Sequence, residues 1–167
     1  MPSDAPYRVL CVCLGNICRS PTAEVVLRHF CNESGLNIEI DSAGTSNYHP
    51  GKAPDLRSQE HALKRGYHLA DLRARQLTVD DFIDFDLILA MDYNNLENIQ
   101  TLKNQAQHHF SHQVLAEIAL MSEHDGDYPE QELPDPYYGG AEGFERVLDQ
   151  CESSSRAWVG IFKSRND

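Results

Sequence analysis

The chain has 167 residues, of which 41% are hydrophobic and 24% are charged, and this composition is typical of about one globular domain with its own core. Its net charge of −12 argues against nucleic acid as a partner, because nucleic-acid binding needs a basic patch. The start MPSDAPYR lacks the apolar segment of a signal peptide, and no stretch reaches the ~18 apolar residues of a membrane helix, so we expect a cytoplasmic protein without membrane contact.

Short aliphatic segments alternate with longer amphipathic segments along the chain. The short segments predict β-strands, since each is rich in aliphatic residues and ends at turn-forming residues; they cover residues 7–14, 37–42, 85–91 and 114–120. The amphipathic segments predict helices that begin near Ser20, Asp55, Thr78, Asp92 and Gly140. Ser20 is expected to cap the first helix, because Pro21 follows at the position that suits proline. The fourth helix is expected to end near Leu102.

The alternation of strands and helices predicts parallel βαβ units. We therefore expect a single α/β domain over residues 1–167, with its core at about 7–162. Its four-stranded parallel sheet is expected to have the order 2-1-3-4 and helices on both faces. Ligands of such sheets bind beyond the carboxyl ends of the strands, so the loops after the strands should meet at one rim. The acidic segment 122–143, rich in Pro and Gly, is expected to be a long functional loop.

The loop after the first strand, CLGNICRSP at 13–21, has the composition of an anion-binding site. Gly15 and Asn16 tolerate left-handed backbone conformations, so successive N–H groups can turn towards one point. The N-terminus of the following helix adds further N–H donors. Arg19 can hold two oxygens of a phosphate, and Cys13 would lie where the phosphorus arrives. Such a local site would offset the repulsion of an anion by the net charge.

Three further cysteines are expected to be structural. Five cysteines, four of them in the first 31 residues, are a poor disulfide framework, so we expect reduced thiols. Cys11, Cys31 and Cys151 lie on apolar faces and are interpreted as core residues. No cysteine or histidine at structural-zinc spacing accompanies the N-terminal cysteines, and the HHFSH segment at 108–112 is interpreted as a solvated surface. No metal site and no cofactor are therefore expected.

The segment CLGNICRSP resembles the signature loop of the low-molecular-weight protein tyrosine phosphatases. Three further segments are similar to family segments in the same order: DSAGTS at 41–46, FDLILAMD at 85–92 and DPYYG at 135–139. The resemblance covers residues 7–162. It implies an enzyme that hydrolyses phosphotyrosine in proteins, and small aryl phosphates, through a cysteinyl-phosphate intermediate and without a metal.

The resemblance also implies a set of catalytic and binding residues. Cys13 would be the nucleophile, Asp135 the general acid and base, and Arg19 the third catalytic residue. Phosphate is expected to bind the Arg19 side chain and the backbone N–H groups of Leu14, Gly15, Asn16, Ile17, Cys18 and Arg19. Loop-bracing hydrogen bonds are expected from Asn16, Ser20 and Ser42. Asp92 would orient Arg19 or lie beside Asp135, and Leu72 stands where relatives often carry histidine, so the bracing network is expected to differ.

The substrate cleft follows from the same resemblance. Its walls are expected to be formed by Ile17, Tyr48, Tyr137 and Tyr138. Relatives that act on phosphoarginine tend to carry threonine at the position of Ile17, so isoleucine favours phosphotyrosine. Cys18 is expected to form a disulfide with oxidised Cys13 and so protect it. The protein is expected to be a monomer or to self-associate weakly.

Three other functions are alternatives, and one of them shares the loop. Arsenate reductases of the same fold pass oxidation to two further cysteines in a mobile segment, and this chain has no cysteine between residues 32 and 150. A non-catalytic phosphate-binding or redox-sensing module would not need Asp135. A sulfur-based phosphocarrier is disfavoured because Arg19 would retain the phosphate.

Overall fold

Strands and helices alternate along the chain. A computed structural model describes residues 5–136 and 140–165. The strands in these residues are β1 (Tyr7–Cys13), β2 (Ile38–Gly44), β3 (Leu87–Ala90) and β4 (Glu117–Leu120). The helices in the same residues are α1 (Arg19–Glu33), α2 (Leu56–Lys64), α3 (Asp81–Asp84), α4 (Tyr93–His109) and α5 (Ala141–Arg165).

All four strands pair in parallel in the order β2-β1-β3-β4, which confirms the predicted sheet. The central strand β1 is completely buried from Val9 to Val12, as expected for a parallel strand covered on both faces. Its alternate side chains enter two separate cores. Val9 and Cys11 pack in the core that α1 and α5 cover, while Leu10 and Val12 pack in the core that includes residues of α3 and α4. Helices therefore cover both faces, as predicted.

Three helix boundaries differ from the prediction, and the smallest difference is that α3 begins at Asp81 rather than near Thr78. Helix α1 begins at Arg19 with Cys18 at the capping position, so the prediction that Ser20 caps it is wrong; the Ser20 hydroxyl is used by the preceding loop instead. Helix α4 continues to His109, well beyond Leu102. Ala106 is fully buried, so the buried face of α4 extends beyond Leu102. The prediction ended there because no larger apolar residue follows in the helix.

The three cysteines that were interpreted as core residues are buried. Cys11, Cys31 and Cys151 have no solvent exposure, and all five cysteines are free thiols. Burial raises the pKa of Cys31 to about 11 and raises that of Cys11 and Cys151 above the ordinary thiol value. These three thiols are therefore protonated at neutral pH and unreactive.

The histidine-rich segment lies at the surface. His108 and His109 form the exposed last turn of α4, and His112 follows it, also exposed. In the described residues, no three His, Cys, Asp or Glu side chains are grouped so that they could hold a metal ion. The same part of the chain contains no helix long and apolar enough to cross a bilayer.

The segment between β4 and α5 is fastened to the rest of the fold. The indole N–H of Trp158 donates to the Met121 carbonyl oxygen at 2.7 Å. Further along, the Leu133 N–H donates to the Met91 carbonyl oxygen at 2.9 Å. These bonds hold both ends of the segment, so it approaches residue 135 in a defined position despite its loop composition.

The Asp125 carboxylate is the main polar anchor of this segment. It is buried and accepts hydrogen bonds from two hydroxyl groups of α5 and two backbone N–H groups, which belong to Ser153, Ser154, Asp127 and Tyr128. Burial alone raises the pKa of Asp125, but these bonds outweigh it and hold the pKa below its ordinary value. The ionised carboxylate therefore stabilises the fold.

Replacing this anchor should destabilise the protein in a pH-dependent way. Asp125→Asn should lower the free energy of unfolding at pH 7 by about 1.5–3 kcal/mol, since it weakens hydrogen bonds to a charged group. Because the folded pKa lies below the unfolded value of ~3.9, the stabilisation is complete above pH ~4 and is lost as the pH falls through the folded pKa. Urea unfolding from pH 7 to pH 3 measures this difference, with Asp127→Asn as the exposed control. An equal loss at both pH values would contradict the account.

Candidate active site

The loop that joins β1 to α1 turns back around the sulfur of Cys13. Asn16 has a φ of 58°, a left-handed conformation that asparagine adopts more easily than most residues. This turn directs the Asn16 N–H to the Cys13 Sγ, 3.2 Å away. Cys13 itself is 3% exposed. Of the two residues expected to permit the turn, Asn16 rather than Gly15 has the positive φ.

The residues after β2 press against this loop. The Thr45 N–H donates to the Cys13 carbonyl oxygen at 2.9 Å and the Ser46 N–H donates to the Leu14 carbonyl oxygen at 3.0 Å. A Cβ atom on Gly44 would lie only 2.7 Å from that same Leu14 oxygen. The position therefore requires glycine, because the backbones of the two loops touch there.

Two polar side chains fix the inside of the loop. The Asn16 amide nitrogen donates to Ser20 Oγ at 2.8 Å, and Ser20 Oγ lies 3.1 Å from Cys13 Sγ. The Asn16 amide oxygen accepts a bond from the Arg75 N–H at 3.1 Å. Asn16 and Ser20 thus hold the inside of the loop, and the backbone N–H of Arg75 joins this network.

Ser42 is placed differently from the expectation. Its hydroxyl donates to the Glu24 Oε1 at 2.7 Å, and Glu24 also pairs with Arg28. Burial raises the pKa of Glu24, although the bonds from Ser42 and Arg28 counteract this. Ser42 therefore joins β2 to α1, one turn beyond the loop, and no hydrogen bond connects it to the described loop residues.

Arg19 joins the loop to the two neighbouring segments of the rim. Its guanidinium donates to Asp92 Oδ2 at 2.7 Å and to the Leu133 carbonyl oxygen at 3.2 Å, and it lies 3.8 Å from Asp135 Oδ2. Although burial lowers the pKa of Arg19, the sulfur of Cys13 and the carboxylates of Asp92 and Asp135 raise it above its ordinary value. Arg19 is 4% exposed, so a permanent positive charge is held in a buried position beside the Cys13 sulfur.

Asp92 has two functions at once. Its Oδ1 accepts the Asn95 N–H at 2.6 Å and so caps helix α4, while its Oδ2 holds Arg19. Of the two alternatives for Asp92, the contact with Arg19 is the one present as a hydrogen bond. The 92–95 turn therefore fixes the guanidinium from the β3 side of the rim.

A cavity of about 110 Å³ opens above Cys13. It is lined by Cys13, Leu14, Gly15, Ile17, Cys18, Arg19, Tyr48, His49 and Asp135. Cys13 is nearly buried, whereas Tyr48 is 70% exposed and the Asp135 side chain is 45% exposed, so the sulfur lies deep and the other two lie nearer solvent. Tyr137 and Tyr138, which were also expected at the cleft, lie outside the described residues.

His49 is a cavity residue that the sequence did not identify. Its ring packs on the loop, since a Cβ atom on Gly15 would lie 3.1 Å from the imidazole Cδ2. It also meets the Tyr48 ring edge to face, with centroids 6.5 Å apart. The available signal was its position directly after Tyr48, in a segment expected only to contribute an aromatic wall.

Cys18 lies within the same cavity but in a different environment from Cys13. Burial raises its pKa to about 12, although a hydrogen bond from Ser58 acts in the opposite direction, and the nearby charges of Asp55 and Asp135 raise it further. The Cys18 thiol is therefore protonated at neutral pH, whereas the Cys13 sulfur has an N–H donor and a hydroxyl within reach. The chemistry of the pocket favours Cys13 as the nucleophile.

Comparisons with known proteins agree on one family. The model of the low molecular weight phosphotyrosine protein phosphatases matches residues 8–166. The human low molecular weight phosphotyrosine protein phosphatase is 40% identical over 95% of this chain and 98% of its own length. A protein tyrosine phosphatase from Entamoeba histolytica aligns with a TM-score of 0.85 at 34% identity, covering 96% of this chain and 99% of that one. A Drosophila arginine phosphatase aligns with a TM-score of 0.84 at 30% identity, covering 93% and 97%.

The contact at Gly44 gives a direct test of the loop geometry. Gly44→Ala should push the Leu14 carbonyl away, and because a displacement of about 1 Å can cost ~100-fold at a positioned site, we expect at least tenfold weaker binding of inorganic phosphate. Gly160→Ala is the control, since a Cβ atom there meets nothing within 4 Å. Isothermal titration calorimetry measures both affinities. Unchanged phosphate binding in Gly44→Ala would show that the loop does not depend on this contact.

Proposed function

The chain belongs to the low molecular weight phosphotyrosine protein phosphatase family, and we propose on that premise that it hydrolyses phosphotyrosine through a phosphorylated Cys13. The contacts of Arg19 carry the proposal. The Arg19 guanidinium forms an ion pair with Asp92 and lies near Asp135, the candidate acid. The loop that ends at Arg19 encloses Cys13. A nucleophile, an anion-binding cation and a proton donor are thus within reach of one bound phosphate.

In the first step the Cys13 thiolate attacks phosphorus in line with the phenolic oxygen. The P–S bond forms as the P–O bond to the aryl group breaks, and Asp135 donates its proton to the departing phenolate. Arg19 and the N–H groups of the 14–19 loop hold the three equatorial oxygens, whose charge the positioned donors stabilise. The Asp135 side chain is 45% exposed and lines the cavity, so it lies where a leaving group enters from solvent.

In the second step a water molecule attacks the cysteinyl phosphate. The Asp135 carboxylate left by the first step accepts a proton from this water as the P–O bond forms and the P–S bond breaks. Inorganic phosphate leaves, and the Cys13 thiolate is regenerated with the Asn16 N–H and the Ser20 hydroxyl beside it. The two steps together consume one water and leave both residues in their starting states.

Phosphotyrosine is the proposed substrate because of the depth of the cleft. Cys13 is almost buried below Tyr48 and Ile17, so a long aromatic stem reaches the sulfur better than the short side chain of phosphoserine. Tyr137 and Tyr138 are proposed as further walls. The similarity to an arginine phosphatase leaves a phosphoarginine substrate as the alternative, and Ile17 is the residue that favours phosphotyrosine over it.

A protective role for Cys18 is part of the proposal. Peroxide would oxidise the Cys13 thiolate to a sulfenic acid, and the Cys18 thiol would displace water from it to form a disulfide. A dithiol reductant would then restore both thiols. Cys13 and Cys18 line the same cavity, and this supports a disulfide between them.

Location and assembly are also part of the proposal. Five free thiols suit a reducing compartment, so we propose the cytoplasm. Phosphotyrosine proteins are the proposed partners, with the enzyme acting as a monomer or in weak self-association. No nucleic-acid partner is proposed, because a protein of net charge −12 repels a polyanion.

The acid role of Asp135 should depend on the leaving group. Cys13→Ser should abolish turnover of both p-nitrophenyl phosphate and phenyl phosphate. Asp135→Asn should lower kcat/KM, which reports the first step alone, about 10²–10⁴-fold for phenyl phosphate and much less for p-nitrophenyl phosphate, whose phenolate leaves without a proton. Asp127→Asn is the matched control on the same segment. If Asp135→Asn lost kcat/KM equally on the two esters, Asp135 would not be the general acid. Turnover by Cys13→Ser would refute the mechanism.

The role of Cys18 can be measured after oxidation. Wild type treated briefly with hydrogen peroxide should regain most of its activity with dithiothreitol, whereas Cys18→Ser should regain several-fold less, because its sulfenic acid oxidises further. Cys31→Ser, which removes a buried thiol far from the reaction, should behave as wild type. Equal recovery in all three proteins would remove the protective role of Cys18.

A further inference from the structure

Two segments of opposite charge flank the cavity. The first, residues 46–57, follows β2 and is called the basic strap here; its charged side chains are Lys52, Arg57 and Asp55, and it also carries His49. The second, residues 122–136, follows β4 and is called the acidic rim; it contains six acidic residues and no Lys or Arg. Because β2 and β4 are the two edges of the sheet, with β1 and β3 between them, these segments lie on either side of the Cys13 loop.

The outward charge of the basic strap is positive. Lys52 is exposed, and its ammonium group forms no ion pair with any described residue. The only carboxylate of the strap, Asp55, is 12% exposed and accepts the N–H groups of Arg57 and Ser58 at the start of α2. The Asp55 charge is thus turned towards the protein, and Lys52 is left to face solvent.

The position of Lys52 relative to the cavity is fixed by backbone bonds. Its carbonyl oxygen accepts the Ala74 N–H at 2.8 Å, and its N–H donates to the His49 carbonyl oxygen at 3.1 Å. The Asp55 N–H donates to the Ile17 carbonyl oxygen at 2.8 Å, which fastens the strap to the phosphate-binding loop. Because the backbone of the strap is already ordered, a peptide that binds it loses less conformational entropy than one that binds a free loop.

The acidic rim presents negative charge on the opposite side. Glu123, Asp127, Glu130 and Glu132 are exposed, while Asp135 projects into the cavity. The Leu133 N–H holds this rim to Met91, so the rim too is anchored beside the site. At physiological ionic strength charges are screened beyond about 8 Å, and a bound peptide therefore responds to these local charges more than to the net charge.

We propose that the site selects phosphotyrosine peptides with flanks of opposite charge. Acidic residues on one side of the phosphotyrosine lie over the basic strap, where Lys52 recognises them, and basic residues on the other side lie over the acidic rim. Lys52 is thus a specificity-determining residue. This inference rests on the phosphatase function proposed above.

Matched phosphopeptides test the selection. Four peptides of equal length carry acidic–phosphotyrosine–basic flanks, the reverse order, two acidic flanks or two basic flanks. One of the two bipolar orders should have the highest kcat/KM, about fivefold above its reverse, since one exposed charge pair contributes up to about fivefold. The preference should shrink at ~1 M salt, where charges are screened beyond about 3 Å.

Charge reversal at residue 52 supplies the decisive comparison. Lys52→Glu should abolish or invert the ratio between the two bipolar peptides, while Lys163→Glu, an exposed change on α5, should leave it as in wild type. Using the ratio within each variant cancels any general change in activity. Bipolar peptides hydrolysed within twofold of each other, a peptide with like-charged flanks as the best substrate, or an unaltered ratio in Lys52→Glu would each overturn the inference. Absence of turnover on p-nitrophenyl phosphate would instead refute the phosphatase function itself.

Discussion

The buried guanidinium of Arg19 is the contact on which the arrangement of the site depends. It is held by Asp92 at the end of β3 and by the Leu133 carbonyl oxygen of the segment after β4, while its own backbone begins α1 after β1. Three of the four carboxyl ends of the sheet are thus tied to one cation. Because the charge is fixed before any anion binds, it requires no reorganisation at the moment of reaction.

A second constraint is that a protein of net charge −12 must attract an anion. We propose that the solution is local, with N–H groups of a tight loop, the first turn of a helix and one arginine acting together at a cavity of about 110 Å³. Cys18 at the helical cap provides no side-chain bond to the first turn, and Ser20 faces the Cys13 sulfur instead. The N–H groups of Arg19 and Ser20 are therefore left for the loop and its ligand, whereas the Thr22 N–H donates to the Cys18 carbonyl oxygen.

The sequence predicted the strands, their parallel βαβ arrangement and the Cys13 loop because these depend on local patterns, namely aliphatic segments, turn residues and a dense motif. It failed where a residue has two possible partners. Ser20 was expected both to cap the helix and to brace the loop, and only its loop contacts with Cys13 and Asn16 are present. Ser42 was expected to brace the loop but contacts Glu24. Tertiary packing decides which of two partners a hydroxyl group bonds, and the spacing of residues along the sequence does not reveal it. His49 was missed for a related reason, since only the approach of two loops brings it onto Gly15.

The covalent intermediate on Cys13 is the central claim, and it can be observed directly. Enzyme mixed with excess p-nitrophenyl phosphate and quenched in acid within milliseconds can be digested and examined by mass spectrometry. We expect one phosphoryl group on the peptide that contains Cys13, in larger amount in a variant whose second step is slowed. A phosphoryl group on another residue, or none on Cys13 during active turnover, would contradict it.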